Sequence, residues 1–565
     1  MLRHCLALAL LVVALAGCGG GGDKDSGLPD AQADVRAEEA CCPDAPVPSE
    51  TTEAGGGDVG GGEILADGLA PDAADADVPE PFPPRELPFE YTRPMKGDPI
   101  PEDETAGFTK AVTGMWKKVG YFRWLLRTST GVDPSTGKDD YLAWHNDVLA
   151  VKAGDTVTFK ETGGEHNMWI PSSKILSQAI NGCILTADWD TCKVAEQYCK
   201  GLTASVKGFV WDENDPAPYL MARAIFPMDH SFTLDEVTWK DDGRKKVVEF
   251  SGMYHIEDGW NAHTFAWPHN PTWGSIWITN MRSKDDVCAI VRTTAFLPYA
   301  VADAPYDWVK DACQETLDTM KGFNKDIVDS GYYIRTKGPD GVAFKIPDQD
   351  LGNYVWYSEL DPLSECTNRL ASDLIAYGEP KTNDCGSGFG SVYDMVAPGG
   401  HYYNYPIIWN YHMAALGNAL VYGHDGIALN LLKGMTERLD TYLDPNGEEP
   451  GAKDGNWKRD MATLLVQAAA FGFPLNWDEA RLVQKHWTQA VAEFEGWPNW
   501  DLWAETVAGG EYGSGSGFRP AETAEGIQVE AMAMFLEYCN SPFKNPSSAK
   551  FVDCAAVADV ASWGK

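Results

Sequence analysis

The chain has 565 residues, with 83 acidic against 45 basic side chains and a formal charge of -38. Such an excess of negative charge disfavours nucleic acid and other polyanions, whose binding depends on Lys and Arg neutralising phosphates. The single basic cluster, Lys240, Arg244, Lys245 and Lys246, reads as a solvated turn and strand edge.

The first residues form an export signal. Arg3 and His4 precede an apolar run from Cys5 to Ala16, and small residues stand before Cys18. The run is too short to cross about 30 Å of hydrocarbon at 1.5 Å per residue, so it is a secretory signal and not an anchor helix. Leu15-Ala16-Gly17-Cys18 resembles the lipobox of bacterial lipoproteins. That resemblance implies cleavage after residue 17 and acylation of Cys18, with the membrane as a partner through the lipid. Gly19, where an Asp would retain the protein, implies sorting to the outer membrane.

Residues 18–88 follow as an acidic Gly/Ala/Asp/Pro stalk. From 19 to 90 there are 18 acidic and 3 basic side chains and almost no large apolar residue. Such a segment cannot bury enough surface to offset its ordering entropy. Residues 89–565 carry no second linker and are read as one large domain.

Nine of the 13 cysteines fall in that domain. Export makes disulfides expected, and an odd number leaves one thiol over. Cys539–Cys554 and Cys366–Cys385 close short loops and are the pairs expected first. No Cys-x-x-Cys or Cys/His cluster has zinc spacing, so neither metal nor cofactor is expected.

In chain order, Phe108, Val112, Met115, Trp116, Val119 and Phe122 repeat at helical spacing behind Glu102, Asp103 and Glu104. The stretches 166–181, 185–206 and 284–299 are weaker helices, and Asp303 with Pro305 opens a helix carrying Trp308 to Met320. Further helices are read at 364–377, 402–422, 424–443 and 457–472. Asn476 with Glu479 forms a capping-box variant ahead of Leu482 to Phe494. Pro520 starts a helix running to Tyr538, and 547–562 is a last weak one. The clearest strand signals are Thr156–Phe159 and Lys246–Phe250. Gly120, Gly208 and Gly331 each precede aromatic residues at a helix end, a faint repeat.

About twelve helices with long loops and a few minor strands make the chain mainly α. In helix number and loop style it resembles the six-hairpin (α/α)6 toroid enzymes, a superfamily rich in glycoside hydrolases and polysaccharide lyases. A stacked α-solenoid is an alternative. So is a β-domain over 140–300 followed by helices, with Val151–Asn167 resembling the first half of a cupredoxin.

Chemistry is expected in three segments. The first runs Tyr254-His255-Ile256-Glu257-Asp258-Gly259-Trp260-Asn261-Ala262-His263, with His269, Asn270 and Trp273 after it. Asp258 and His263 are the acid/base candidates, Asn261 an orienting group, and Trp260 and Trp273 faces for sugar rings. Trp267 and Trp277 crowd the same loops, where large flat faces suit the apolar faces of sugar rings. The second is Gly399-Gly400-His401-Tyr402-Tyr403, where the toroid resemblance implies His401 with Tyr402 as a lyase pair. The third holds Trp500, Asp501, Trp503, Glu505, Arg519 and Glu522 around a Gly/Ser run. Each has a structural alternative, namely backbone-bound loop histidines, a tyrosine packing cluster, and helix-start glutamates.

The leading expectation is a glycoside hydrolase, with Asp258 or Asp501 opposite Glu505 or Glu522 in an aromatic-lined cleft that binds a carbohydrate. A lyase and a non-catalytic binding lipoprotein are the competing readings. No Gly-x-Ser-x-Gly, His-Glu-x-x-His or P-loop motif occurs.

Overall fold

Three acidic residues at the positive end of its dipole open helix α1 (Glu102–Val119). Its face of Phe108, Val112, Met115 and Trp116 is buried, and Phe108 meets Phe535 edge-on at 5.7 Å. The computed structural model describes residues 86–119, 148–153, 156–161, 169–222, 224–227, 233–234, 238–241, 246–249, 264–270, 274–279, 284–345, 366–381, 405–442, 455–495 and 533–562. They fall within the contact unit Phe82–Lys565 and are mainly helical.

The described residues between 148 and 279 hold eight strands, among them the two whose signals are clearest in the sequence. Strand β1 (Val148–Ala153) pairs antiparallel with β2 (Thr156–Glu161). Strand β3 (Ala224–Pro227) and β7 (Thr264–Asn270) flank β8 (Gly274–Thr279), and β4 (Thr233–Leu234) joins β2. Strand β5 (Thr238–Asp241) pairs with β6 (Lys246–Glu249), which puts Lys240 and Lys246 in a hairpin as expected. Helices α2 (Trp169–Thr186) and α3 (Trp189–Val206) interrupt this stretch, so it is no continuous β-domain.

The corner between α2 and α3 is fixed twice. Asp188 caps α3 by accepting from Thr191 N–H at 3.1 Å, and Cys183–Cys192 bridges the turn. The expected helix 284–299 is broken into α4 (Lys284–Thr294) and α5 (Leu297–Asp303). Pro298, which has no N–H to give, occupies the first turn of α5. Helix α6 (Asp307–Asp329) ends where Gly331 turns left-handed at φ 83°, and Tyr332 N–H closes on Ile327 C=O at 2.7 Å. Gly208 has no positive φ, so of the described glycines in the faint repeat only Gly331 serves as a left-handed cap. Strands β9 (Thr336–Lys337) and β10 (Ala343–Phe344) form a small hairpin after it.

Helices α7 (Cys366–Tyr377), α8 (Tyr405–Val421), α9 (Asp425–Tyr442), α10 (Gly455–Ala470) and α11 (Trp477–Glu495) follow the expected spans closely. The capping box ahead of α11 forms as read: Asn476 N–H donates to Glu479 at 2.8 Å and Glu479 N–H to Asn476 at 3.0 Å. Of the helix expected from Pro520 to Tyr538, the described residues hold α12 (Met534–Asn540), which opens after Ala533 with no side-chain cap. The stretch 547–562 is not one helix but α13 (Cys554–Ala558) and a single 3-10 turn, Val560–Ser562. Upstream of it, Asn545 donates to the carbonyls of Tyr91 and Gly472, and Ser547 N–H turns back to Asn545, which holds the backbone out of helical geometry. Cys539–Cys554 forms as expected. Cys366 is also disulfide-bonded, and its expected partner Cys385 lies outside the described residues.

The packing order is the informative part. Helix α2 packs on α4, α4 on α8, α8 on α10, α10 on α12, and α12 on α2 again. Each of α2, α8 and α10 also packs on the helix that follows it in the chain, while α3 lies on α6 and α6 on α7. Trp169 N–H reaches Asp286, and further along both helices Thr293 donates to the Ser173 carbonyl, so α2 and α4 run the same way. Ala533 N–H to Gln178, then Asn540 to Asn181, gives α12 that direction too.

The C-terminal ends of α4, α8 and α10 converge. A Cβ on Gly417 would stand 2.4 Å from Phe471 and 2.9 Å from Ala295, so only glycine admits this approach. Asn418 donates to the Val291 carbonyl beside it at 3.1 Å. Phe296, Phe471 and Phe543, just past α4, α10 and α12, gather with centroids 5.1 to 6.0 Å apart. Helices α4, α8 and α12 therefore begin on the side away from this aromatic cluster.

Candidate functional site

The faces that α2, α4 and α12 turn to one another carry charge. Arg292 on α4 and Glu537 on α12 are 0% and 1% exposed and pair at 3.0 Å. Ser177 on α2 donates to the second carboxylate oxygen, and Arg292 also lies 3.4 Å from its hydroxyl. Ser173, Gln178 and Asn181 on α2 are buried nearby in sequence, and Asp286 at the start of α4 accepts Trp169 N–H at 2.9 Å. Both oxygens of Glu537 are thus engaged. The group is built to hold charge in place, not to pass a proton.

A second buried pair joins α8 to α9. His412 Nε2 lies 3.2 Å from Arg438, and both residues are 2% exposed. A guanidinium only donates, so Nε2 accepts and the imidazole proton sits on Nδ1. Nδ1 has no hydrogen-bond partner. Burial, reinforced by the Arg438 charge, holds His412 well below its ordinary range. It is therefore a neutral ring at physiological pH, with little capacity to act as an acid.

The segment expected to be richest in chemistry enters the described residues at β7. Trp267 there is fully buried, edge-on to Phe209 at 5.5 Å and to Trp211 at 5.4 Å. Both Trp267 and Trp277 lie on strands, not loops, and Trp267 is core, which corrects its reading as a loop face for sugars. His269 stacks on Trp211 at 3.8 Å, and Asn270 is buried. The Trp211 ring also abuts Gly341, whose added Cβ would stand 2.2 Å away.

The loop carrying Trp211 is pinned by Asp215. It accepts Trp211 N–H at 2.7 Å and Ala217 N–H at 2.9 Å, and pairs with Lys337, which also donates to Phe209 C=O at 2.8 Å. Burial works against the Asp215 carboxylate, yet the Lys337 and backbone donors outweigh it and hold its pKa below the ordinary value. Burial lowers Lys337 against the pull of the same carboxylate. This corner fixes the Trp211 loop between β7 and the β9–β10 hairpin.

The remaining sequence candidates lie outside the described residues. They are Asp258, Trp260, Asn261, His263 and Trp273 in the first segment, and His401 and Tyr402 in the second. In the third they are Trp500, Asp501, Trp503, Glu505, Arg519 and Glu522, and at the N-terminus Cys18. Their order along the chain still bears on the site. The first segment leads through β7 and β8 into α4, the second into α8 and the third into α12. Those are the helices that begin on the side away from the Phe296–Phe471–Phe543 cluster.

Ser177, Arg292, Glu537 and His412 were not read from sequence as site residues. The signal was present: Arg292 and Glu537 are single charges inside the apolar runs Cys288–Leu297 and Ala531–Cys539. A lone charge in such a run is buried with a partner or not at all.

Among the described residues, no group of three His, Cys, Asp or Glu could hold a metal, and no helix is long and apolar enough to cross a membrane. No protein-family model, no curated protein and no solved structure matches the chain.

Proposed function

We propose that the chain is a lipid-anchored, exported glycan-active enzyme built as an (α/α)6-type toroid, with glycoside hydrolysis as its reaction. The observation that carries the proposal is the order of helices. Helix α2 packs on α4, α4 on α8, α8 on α10, α10 on α12, and α12 returns to α2. The three segments rich in acids, histidines and indoles each lead into one of these helices, α4, α8 or α12. In a toroid, the connections that enter inner helices gather at one mouth.

The division of labour follows from the chemistry available. Asp258 or Asp501 stands opposite Glu505 or Glu522 as acid and base or nucleophile. Trp260, Trp500 and Trp503 take the apolar faces of the sugar, with Asn261 and Arg519 on its hydroxyls. His412, a fixed neutral ring, lies two turns into α8, the helix that follows His401 and Tyr402 in the chain. The membrane is reached through lipidated Cys18.

The test uses the secreted full chain against a glycan panel, with Asp258→Asn and Glu505→Gln. A loss of turnover of about a hundredfold or more with binding retained supports acid/base roles. Products heavier by one water mark a hydrolase, whereas unsaturated products turn the assignment to His401 and Tyr402. Retained binding with no turnover in the parent chain reduces the protein to a glycan receptor. Absence of binding to every glycan overturns the proposal.

A further inference from the structure

Helices α3 and α6 run side by side in the same direction. Lys193 lies over Trp308, Thr203 meets Thr316 at 3.0 Å, and Lys207 reaches Glu315 at 3.1 Å. Between the first two contacts Cys199 and Cys313 face each other, both 0% exposed, with their sulfurs 2.7 Å apart. Two thiols in ordinary van der Waals contact stand further apart than this. Thr316 donates to the Cys199 carbonyl at 2.9 Å, which fixes the two helices in register beside the sulfurs.

We propose that Cys199 and Cys313 form a disulfide that ties α3 to α6. One thiolate attacks a disulfide of the oxidant, here a protein dithiol–disulfide carrier of the export compartment, and expels one of its sulfurs. The other cysteine thiolate then attacks the mixed disulfide, forms the Cys199–Cys313 bond and expels the second sulfur. The cysteines lose two electrons and two protons, which leave on the carrier as its dithiol. Burial, with Cys199 and Glu196 beside it, holds the Cys313 thiol well above its ordinary range once the helices are docked. The reactive thiolate is therefore scarce in the folded protein, and the exchange belongs to folding, before α3 and α6 close.

This inference rests on export and not on the glycan reading. The full chain, produced through an oxidising compartment, is denatured with an alkylating agent and no reductant, then digested and weighed. The expected result is a linked peptide pair holding Cys199 and Cys313, lighter by two hydrogens than the sum of its parts. Alkylated Cys199 and Cys313 beside intact Cys183–Cys192 and Cys539–Cys554 bonds would overturn the proposal. If those two bonds are open as well, it is the export reading that has failed, and the pair is then assayed after refolding in a glutathione redox buffer, where open thiols again overturn it. Replacing both cysteines by serine is expected to lower the melting temperature by about 3–6 °C, as for a long closed loop in a chain of this size. A reductant also opens the Cys183–Cys192 and Cys539–Cys554 bonds, so it should lower the melting temperature of the parent by more than that of the double variant, the difference being that amount.

Discussion

Arg292 and Arg93 are both arginines tied to a glutamate, yet the two sites teach different things. Arg292 and Glu537 sit between three helices at 0% and 1% exposure, and Ser177 occupies the remaining carboxylate oxygen. Arg93 lies in the segment ahead of α1 and clasps Glu479 at 2.8 and 2.9 Å, with Asp440, 42% exposed, on its other nitrogen. It also covers Phe473 at 5.0 Å. The first pair has no water to fall back on, so its value lies in what happens when it is broken. The second is also closed at Arg93 and Glu479, 5% and 3% exposed, and meets water only at Asp440; it works as a clasp, holding residues 93–96 to the start of α11, where Trp477 N–H donates to the Lys96 carbonyl at 3.0 Å.

The largest expected effect breaks the interior pair. Glu537→Ala leaves a buried guanidinium uncompensated and should cost about 3–5 kcal/mol in chemical denaturation. Replacing Arg292 and Glu537 together by methionine should recover most of that loss. If the double variant is as unstable as the single one, the pair contributes specific geometry that packing cannot replace, and the contrast with Arg93 is deeper than desolvation alone.

Arg93→Ala should cost less, about 1–3 kcal/mol, because the carboxylates it abandons keep other partners or water. Asp440→Asn, on the exposed side, should stay within about 1 kcal/mol. Burial raises the Glu479 carboxyl against the pull of Arg93 and of the Asn476 N–H. The folded state therefore holds that proton to higher pH than the unfolded chain, so ionising Glu479 lowers stability as pH rises through the window above its ordinary value. Removing Arg93 should widen this window, which a pH series of denaturation midpoints would show.

His412 offers a third case, a guanidinium beside a neutral ring. Its pKa is depressed in the fold, so the unfolded chain takes up a proton below about pH 6.5 that the fold refuses. Stability from this residue is complete above that pH and is lost as pH falls, at up to about 1.4 kcal/mol per pH unit. His412→Gln should flatten the slope between pH 6.5 and 5. An unchanged slope would mean that the acid sensitivity lies elsewhere.

What could be read beforehand follows from how local each signal is. The Asn476–Glu479 box, the acidic entry to α1 and the Cys539–Cys554 loop depend on residues close in sequence, and they form as read. The break at Ala295–Phe296 was missed although Pro298 announced it, because the apolar period ran on across it. The indoles close to Trp267 in sequence suggest a loop surface, and nothing local contradicts them. Its burial depends on Phe209 and Trp211, more than fifty residues away. The Arg292–Glu537–Ser177 group joins positions 115 to 360 residues apart, so no spacing rule could assemble it. Only the oddity of single charges in apolar runs pointed to it.

The smallest effect separates capping from clasping within the peripheral site. Asn476 gives its side-chain oxygen to Glu479 N–H and its own N–H to the Glu479 carboxylate, which also grips Arg93. Asn476→Ala removes only the first of these and should cost about 1 kcal/mol, the usual value of an N-cap. In an Arg93→Ala background the same substitution should cost the same if cap and clasp are independent. A difference beyond about 0.5 kcal/mol in the double-mutant cycle would show that Arg93 holds Glu479 in the position from which the cap is made. The segment before α1 would then be part of how α11 begins, and not merely laid across it.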